Sequence, residues 1–420
     1  MPEFEPAEPS VEPGLDRSAE LIDSGSDRRW PPPGVTAVLA IVIAVGATLA
    51  ADASAHRFER PVTETDRWQA APDAPALSPV PGRPSVGFPP PALDLPGEVV
   101  HFDLGTTGYA AVTAEDCGGG ADCRVSLATS DGLGRWWPGT IPRDTTRGGG
   151  SPRPLVLDNG VLVLEDYGEQ TPGGWYSENG GRTWRPVPTV RRLALRHAGG
   201  GRLDLKRTGL STPEPCGGRQ VAGYLRTSGQ LVPLRDQPRL RPCSVVPFPD
   251  PAGRRWVAGT TPGGAAVAVS GDDGRTWSSS LLPGTEHARY VAVELTGRFP
   301  YAVVFGQVAE LAEPTLTGVF RYASRGWSPI WRPDGARATG IGKVTVCPGG
   351  LLLSPLPVAA WSEAGRYPMR PGQVTETSGL PAVAATAVPG HGWFGWYFET
   401  GSARPVHSRD CRGWRGLTVA

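Results

Sequence analysis

A turn motif recurs along the chain after residue 128. Residues 177–184 (SENGGRTW) and 270–277 (SGDDGRTW) both match the pattern S-x-[DN]-x-G-x-T-W, and residues 129–136 (TSDGLGRW) form a degraded copy. In such a turn the Ser ends a strand, and the Asp or Asn accepts backbone N–H bonds across the turn. The Gly supplies a positive φ, and the Trp packs under the hairpin. The motif therefore predicts a repeated β-hairpin, with the tryptophans of the two full copies, Trp184 and Trp277, largely buried.

The spacing of the motif predicts how many hairpins there are. Its tryptophans at 136, 184, 277, 327 and 414 are 48, 93, 50 and 87 residues apart, so the two long gaps are each close to double the short ones. Degenerate copies fit into those gaps at residues 227–231 and 362–367. Seven hairpins then recur about every 46 residues, and a four-stranded propeller blade takes about 40–50. The sequence predicts an all-β fold over residues 97–420, a β-propeller of seven four-stranded blades.

The motif resembles the Asp box, or bacterial neuraminidase repeat, of sialidases, sortilin-type receptors and some glycoside hydrolases. The resemblance covers the repeats of residues 97–420, so it implies a fold and not an activity. In these families the box is structural and lies away from the functional face. The residues given this structural role are Thr129, Asp131, Trp136, Ser177, Asn179, Gly181, Trp184, Ser270, Asp272, Gly274, Trp277, Ser324, Trp327, Ser408, Asp410 and Trp414.

The segment before the repeats predicts a membrane anchor. Residues 1–33 are acidic and Pro-rich, typical of a disordered tail. Residues 34–51 form an uncharged apolar run of the length needed to cross a bilayer, so we predict one transmembrane helix at 34–52. Arg28 and Arg29 directly before it place the N-terminus in the cytoplasm. Residues 53–96 predict a Pro-rich stalk that holds the propeller outside the cell membrane. A cleaved signal peptide is the alternative, because residues 53–55 (ASA) fit a cleavage site.

All six cysteines follow residue 100, which indicates disulfides in an oxidising compartment. The propeller geometry places both members of each of three pairs on the same face. These pairs are Cys117 with Cys123, Cys216 with Cys243, and Cys347 with Cys411.

The sequence excludes several function classes. Its 41 basic and 41 acidic residues give no net charge, so it has no nucleic-acid signature. The six histidines are scattered and lack metal-ligand spacing, and we predict neither a metal nor a cofactor. The arginine-containing tetrapeptide of the first sialidase blade is absent, and we assign no catalytic residue. The carboxylates Glu165, Asp166, Glu310 and Glu313 cannot be paired from sequence for the two-carboxylate chemistry of a glycoside hydrolase.

Two functions stay open. The first is a membrane-anchored propeller that binds or scaffolds an unidentified protein or glycan partner, and the second is a glycoside hydrolase. Arginines in the links between blades are expected to converge on the face opposite the Asp boxes, where they would suit an anionic partner. These are Arg143, Arg147, Arg153, Arg235, Arg239, Arg241, Arg332, Arg337 and Arg370. The distinguishing observation is whether acidic side chains and an arginine cluster meet at the centre of the propeller.

Overall fold

The computed structural model describes a set of segments within residues 85–417. They are residues 85–87, 95–118, 123–142, 152–166, 173–189, 194–208, 216–297, 299–306, 315–323, 326–332, 343–348, 350–354, 383–388, 390–399 and 402–417. Contacts divide the chain into Met1–Arg67 and Trp68–Ala420, and every described strand belongs to the second unit. Within these segments no helix has the length and apolarity needed to cross a membrane. The predicted tail (1–33) and transmembrane segment (34–52) lie outside the described residues.

The described strands form six sheets of three to five strands and one two-stranded hairpin, an all-β propeller. Blade 1 contains β2 (Glu98–Leu104), β3 (Tyr109–Asp116), β4 (Arg124–Asp131) and β5 (Trp136–Gly139). Blade 2 contains β6 (Arg153–Asp158), β7 (Val161–Asp166), β8 (Gly173–Ser177) and β9 (Arg185–Pro186). Blade 3 contains β10 (Leu203–Arg207), β11 (Arg219–Tyr224) and β12 (Leu231–Pro233).

The second half of the propeller follows the same plan. Blade 4 contains β13 (Arg241–Val245), β14 (Arg255–Thr261), β15 (Gly264–Ser270) and β16 (Ser278–Leu281). Blade 5 contains β17 (Ala288–Thr296), β18 (Phe299–Gly306), β19 (Thr315–Ala323) and β20 (Gly326–Trp331). The two-stranded hairpin is β21 (Lys343–Cys347) with β22 (Gly350–Ser354). The last blade contains β23 (Val383–Val388), β24 (Gly392–Glu399), β25 (Ser402–Ser408), β26 (Gly413–Gly416) and, as its fifth strand, β1 (Ser85–Gly87).

The predicted hairpins form where short apolar runs flank turn residues. β6 and β7 pair antiparallel around the Asn-Gly turn, in which Gly160 has a φ of +70°. Their central side chains, such as Val156 and Leu162, are fully buried because neighbouring strands or blades cover both faces. β21 with β22 and β23 with β24 form hairpins of the same kind.

Apolar clusters between adjacent blades form the core. Trp256 of blade 4 packs with Val291 and Phe320 of blade 5, and Val99 of blade 1 packs in one cluster with Phe394 of the last blade. The contact between the first and last blades closes the ring.

The strand β1 lies within the predicted stalk (53–96). Ser85 and Gly87 pair in parallel with Gly413 and Arg415 at the outer edge of the last blade. The N-terminal side of the propeller is thereby held to its C-terminal blade.

The predicted count of seven four-stranded blades is met only in part. The described residues contain six blades, and blade 3 has three strands in place of four. Residues 355–382, which follow β22 and contain the predicted degenerate motif at 362–367, lie outside the described residues.

Three disulfides join the predicted pairs. Cys117–Cys123 brackets the loop between β3 and β4. The other two bonds are buried: Cys216–Cys243 links blade 3 to blade 4, and Cys347–Cys411 links the two-stranded hairpin to the last blade.

Candidate functional site

A cavity of about 310 Å³ lies where the innermost strands of successive sheets meet. Its wall is built from β6, β10, β11, β13, β17, β21 and β23, together with residues next to them. Strands from so many sheets converge only at the propeller axis, so the cavity is part of the central channel. We call its charged lining the channel site, which consists of Arg153, Arg202, Asp204, Arg219, Glu294 and Lys343.

Arg202, just before β10, is the most deeply buried cation of the channel site. Its side chain forms an ion pair with Asp103 of blade 1 and donates to the carbonyl of Val156 in blade 2, at 3.2 Å. The Asp103 carboxylate also accepts the Val156 N–H at 2.6 Å. Arg202 is 4% exposed and its Nε–H has no acceptor. The residue therefore joins three blades.

The negative charge of Asp204 on β10 is balanced less completely than that of Glu294, the other carboxyl group of the channel site. Its Oδ1 accepts the N–H of Leu205 at 2.7 Å. Burial raises the pKa of Asp204, the nearby Glu165 carboxylate raises it further, and the guanidinium groups of Arg153 and Arg202 oppose the shift. The net shift is upward, so Asp204 takes up a proton more readily than a free aspartate does.

Lys343 and Glu294 form a buried ion pair across β21 and β17. They are 6% and 5% exposed. Burial lowers the pKa of Lys343 to about 7, because the ammonium group loses its hydration. The cavity wall thus holds an amine that is close to its neutral form at physiological pH.

Glu165 on β7 links blades 2 and 3 beside the cavity. The hydroxyl of Tyr224 donates to Glu165 Oε1 at 2.7 Å, and Arg153 Nη1 lies 4.0 Å from Glu165 Oε2. Burial raises the pKa of Tyr224 well above its ordinary value, and the carboxylates of Glu165 and Asp204 add to that shift. Tyr224 stays a phenol and a hydrogen-bond donor.

The arginines predicted to converge lie mostly elsewhere in the structure. Arg153 lines the cavity. Arg235, Arg239, Arg241 and Arg332 are exposed and do not line it, and Arg235 pairs with the neighbouring Asp236 at 3.0 Å. Four others lie outside the described residues: Arg143, Arg147, Arg337 and Arg370. Of the four candidate carboxylates, Glu165 belongs to the channel network, Asp166 ends β7, and Glu310 and Glu313 lie outside the described residues.

The charged groups that do meet at the axis were not identified as site residues from the sequence. Asp103, Arg202, Asp204, Glu294 and Lys343 interrupt or flank apolar strand residues. A charged residue inside a run that should be buried on both faces is the signal that would have found them.

The two full motif copies form turns with the same hydrogen bonds. In blade 4, Ser270 Oγ accepts the N–H of Gly274 at 2.7 Å, and Asp272 Oδ1 accepts the N–H of Thr276 at 2.9 Å. In blade 2, the N–H of Gly181 donates to Ser177 Oγ and that of Thr183 to Asn179 Oδ1, both at 2.9 Å. Trp184 and Trp277 are partly buried, less than the sequence predicts.

The degraded copies keep part of this pattern. Thr129 is buried and Asp131 exposed, and beside them Ser130 Oγ donates to the carbonyl of Arg135 at 2.6 Å. Asp410 Oδ1 accepts the N–H of Arg412 at 2.9 Å, and Ser408 is buried. Trp136 and Trp414 are 6% and 2% exposed, Trp327 is partly buried against Trp256, and Ser324 lies outside the described residues.

All these turns join the third and fourth strands of their blades. Because the strands alternate in direction, the turns share one face of the propeller, which we call the motif face. Their polar groups are occupied by turn hydrogen bonds, so their geometry fits a structural role.

A larger pocket of about 1080 Å³ opens on the motif face, between blade 1 and the last blade. It is lined by turn and strand residues, among them His391, His407 and Arg409, with six glycines. It contains no converging set of acids and bases comparable to the channel site. We therefore centre the chemistry on the channel.

Glu115, Cys117 and Cys123 bring three potential metal-ligand atoms within 4.8 Å of one another. The two sulfur atoms are joined in a disulfide and are not thiolates. We assign no metal to this group.

Comparisons with known proteins find similarity in structure but none in sequence. No family model matches the sequence, and no curated protein matches it. Among solved structures, a GH74 enzyme from Niastella koreensis is 18% identical over 57% of this chain and 32% of its own, with a TM-score of 0.35. The chain thus spans about a third of that enzyme's length.

Two smaller proteins are also similar. YCF48, solved bound to a D1 peptide, is 13% identical over 63% of this chain and 88% of its own, with a TM-score of 0.33. YjhT is 10% identical over 76% of this chain and 97% of its own, with a TM-score of 0.37. These likenesses are weak, and the propeller assignment follows from the sheet order of this chain.

Proposed function

We propose that the protein is a binding propeller whose channel site takes a small anionic ligand. The observation that carries this proposal is that three arginines, Arg153, Arg202 and Arg219, line a cavity of about 310 Å³. Of the two acids in the lining, Glu294 forms an ion pair with Lys343, and burial raises the pKa of Asp204.

Calorimetry on the full chain in nanodiscs tests this proposal with citrate, pyrophosphate and glucuronate as anions and glucose as a neutral comparison. We expect at least one anion to bind and glucose to give no heat. Arg219→Gln should weaken binding about tenfold or more, because a charge-assisted hydrogen bond contributes about 1.5–3 kcal/mol. Arg235→Gln, at an exposed position outside the cavity, is the matched control. Equal affinity in both variants, or no anion binding at all, contradicts the proposal.

We propose further that β21 and β22 are the inner half of a seventh blade. The support comes from the tryptophans of the motif turns. Trp184 and Trp277 donate their indole N–H to Thr140 and Asp236, in segments that follow the outer strand of the preceding blade. Trp414 is buried and its Nε1–H has no acceptor. The two paired tryptophans follow their acceptors by 44 and 41 residues.

The outer half of a seventh blade would come from the residues after β22, where the sequence predicts the degenerate motif at 362–367. Deleting residues 358–378 should therefore lower the melting temperature, and an unchanged melting temperature would contradict the seventh blade.

We also propose that the motif turns are Asp boxes, because the turns of blades 2 and 4 have the same hydrogen bonds.

The propeller is proposed to lie outside the cell membrane on an uncleaved anchor. The support is the apolar run at 34–51 behind Arg28 and Arg29, together with three disulfides in the part that follows. Protease treatment of intact cells should remove the propeller and leave a membrane-bound stub. Mature protein beginning at His56 would indicate a signal peptide in place of the anchor.

A glycoside hydrolase is the second candidate, favoured by one observation. Asp204, whose pKa is raised, lies near enough to Glu165 for their charges to interact, and Tyr224 donates to Glu165. Two neighbouring carboxyl groups, one of them with a raised pKa, are the arrangement that glycoside hydrolysis uses. Turnover of 4-methylumbelliferyl glycosides that is lost in Asp204→Asn would support this candidate. No turnover across a panel of such substrates would leave the binding role.

A further inference from the structure

Lys343 is one of two lysines in a chain whose other basic residues are all arginines. Of 41 basic residues only Lys206 and Lys343 are lysines, so 39 are arginines. Lys206 is partly exposed, and its Nζ donates to the carbonyl of Leu231 at 3.2 Å. Lys343 lies in the wall of the channel cavity. An arginine would form an ion pair with Glu294 at least as well, so the pair alone does not account for an amine here.

The surroundings of Lys343 suit a nucleophilic amine. Glu294 on β17 contacts its Nζ, and the other charged groups of the cavity are Asp204 and Arg202 at β10, Arg219 on β11 and Arg153 on β6. Burial lowers the pKa of Lys343, which raises the fraction of neutral amine near pH 7. Glu294 is placed to accept the proton that the ammonium group releases.

We propose that Lys343 captures a small anionic carbonyl compound, such as a 2-oxo acid, as an imine in the channel site. The inference rests on the proposed anion binding, since the arginines of the cavity would hold the carboxylate. The neutral Nζ attacks the carbonyl carbon, so a C–N bond forms, the C=O π bond breaks, and a proton passes from the nitrogen to the oxygen. The C–O bond then breaks, and the hydroxyl group leaves as water with the second amine proton, which gives the imine. The step needs no oxidant or reductant.

Reductive trapping tests the proposal on the full chain in nanodiscs. Pyruvate with sodium cyanoborohydride, followed by peptide mass spectrometry, should show at least tenfold more adduct on Lys343 than on Lys206. Lys343→Arg keeps the positive charge beside Glu294 and should abolish this adduct while the melting temperature stays close to that of the wild type. The trapping rate should rise through about pH 7 for Lys343 but only towards about pH 10 for Lys206, the ordinary lysine range.

Lactate separates this inference from the proposed function, because it carries the same carboxylate without a carbonyl. Lactate binding together with absent or equal labelling of the two lysines overturns the imine and leaves the anion site standing. Absence of both lactate binding and selective labelling overturns both. Selective labelling of Lys343 that survives a pH shift from 8 to 5.5 without loss would also contradict the proposal, since the amine must be neutral to react.

Discussion

The indole N–H of Trp277 donates a hydrogen bond of 2.9 Å to the backbone carbonyl of Asp236, in the segment that leaves blade 3. Trp184 makes the equivalent bond to Thr140 after blade 1, at 2.7 Å. Each tryptophan belongs to the motif turn of one blade and bonds to the preceding blade. The motif therefore joins neighbouring blades as well as closing its own hairpin.

Removing the hydrogen bond between Trp277 and Asp236 alone should lower the free energy of unfolding measurably. We expect Trp277→Phe to lower the free energy of unfolding by about 1 kcal/mol, the net value of one hydrogen bond. Trp277→Ala should cost about 3 kcal/mol, at the low end for an aromatic residue because the ring is partly buried. Trp137→Phe, at a side chain that is 37% exposed, is the control and should cost less than about 0.5 kcal/mol. Denaturant melts give all three values, and equal losses at Trp137 and Trp277 would contradict the inter-blade role.

Asp272 should make the motif turn of blade 4 sensitive to acid. Burial by itself would raise the pKa of Asp272, but hydrogen bonds from the Thr276 N–H, the Thr276 hydroxyl and Ser270 outweigh it and hold the pKa below its ordinary value. Its contribution to stability is then present above the unfolded-state pKa of about 3.9 and lost as the pH falls through the lower folded-state value.

Asp272→Asn should flatten the fall in melting temperature between about pH 4 and pH 2, and Asn179→Asp should steepen it. Blade 2 already has Asn at the equivalent position, so both variants are compatible with the turn. Melting curves of the two variants that parallel the wild type at every pH would count against this account.

The buried ion pair of Asp103 and Arg202 should contribute far more to the free energy of unfolding than an exposed ion pair does. Asp103→Asn leaves the Arg202 guanidinium without its counterion at a site 4% exposed, and we expect a loss of about 3–5 kcal/mol. Asp236→Asn breaks the exposed pair with Arg235 and should cost less than about 1 kcal/mol. Chemical denaturation compares them directly, and similar small losses would mean that Arg202 finds another partner.

The disulfide between Cys216 and Cys243 should stabilise the junction of blades 3 and 4. Replacing both cysteines by alanine should cost about 2–4 kcal/mol. The Cys117–Cys123 bond closes a loop with a sequence separation of 6, against 27 for Cys216–Cys243, and should contribute less. Melting temperatures of the two double variants test this order.

Ligand binding in the channel should strengthen as the pH falls. Burial raises the pKa of Asp204, so its protonation removes a negative charge that repels an anionic ligand. Calorimetry with citrate between pH 7.5 and 5 should show rising affinity in the wild type, after correction for the protonation of citrate itself. Asp204→Asn should bind more tightly at pH 7.5 and show a smaller pH dependence, and the remainder follows from Lys343, whose pKa burial lowers to about 7.

The repeated turns could be predicted from sequence because all their determinants are local. Ser270, Asp272 and Gly274 bond within a few residues of one another, and such spacing is visible in the chain. The channel site could not be assembled in this way. Asp103 and Arg202 are 99 residues apart, and only the closure of several blades around one axis brings them together. The arginines in the links were selected by loop position, whereas Arg202 and Arg219 reach the cavity from the start of β10 and of β11 in blade 3.

The parallel pairing of β1 with β26 has a mechanical consequence. Ser85 pairs with Gly413 and Gly87 with Arg415, so a pull on the chain before Ser85 loads a three-residue strand before any other part of the propeller. Moderate tension would separate β1 from β26 and lengthen the chain before the propeller by about 10 Å, at about 3.3 Å per residue. The other strands of the last blade would stay paired. The pairing of β1 with the edge of the last blade would then break reversibly under force before any strand pairing within the ring is lost.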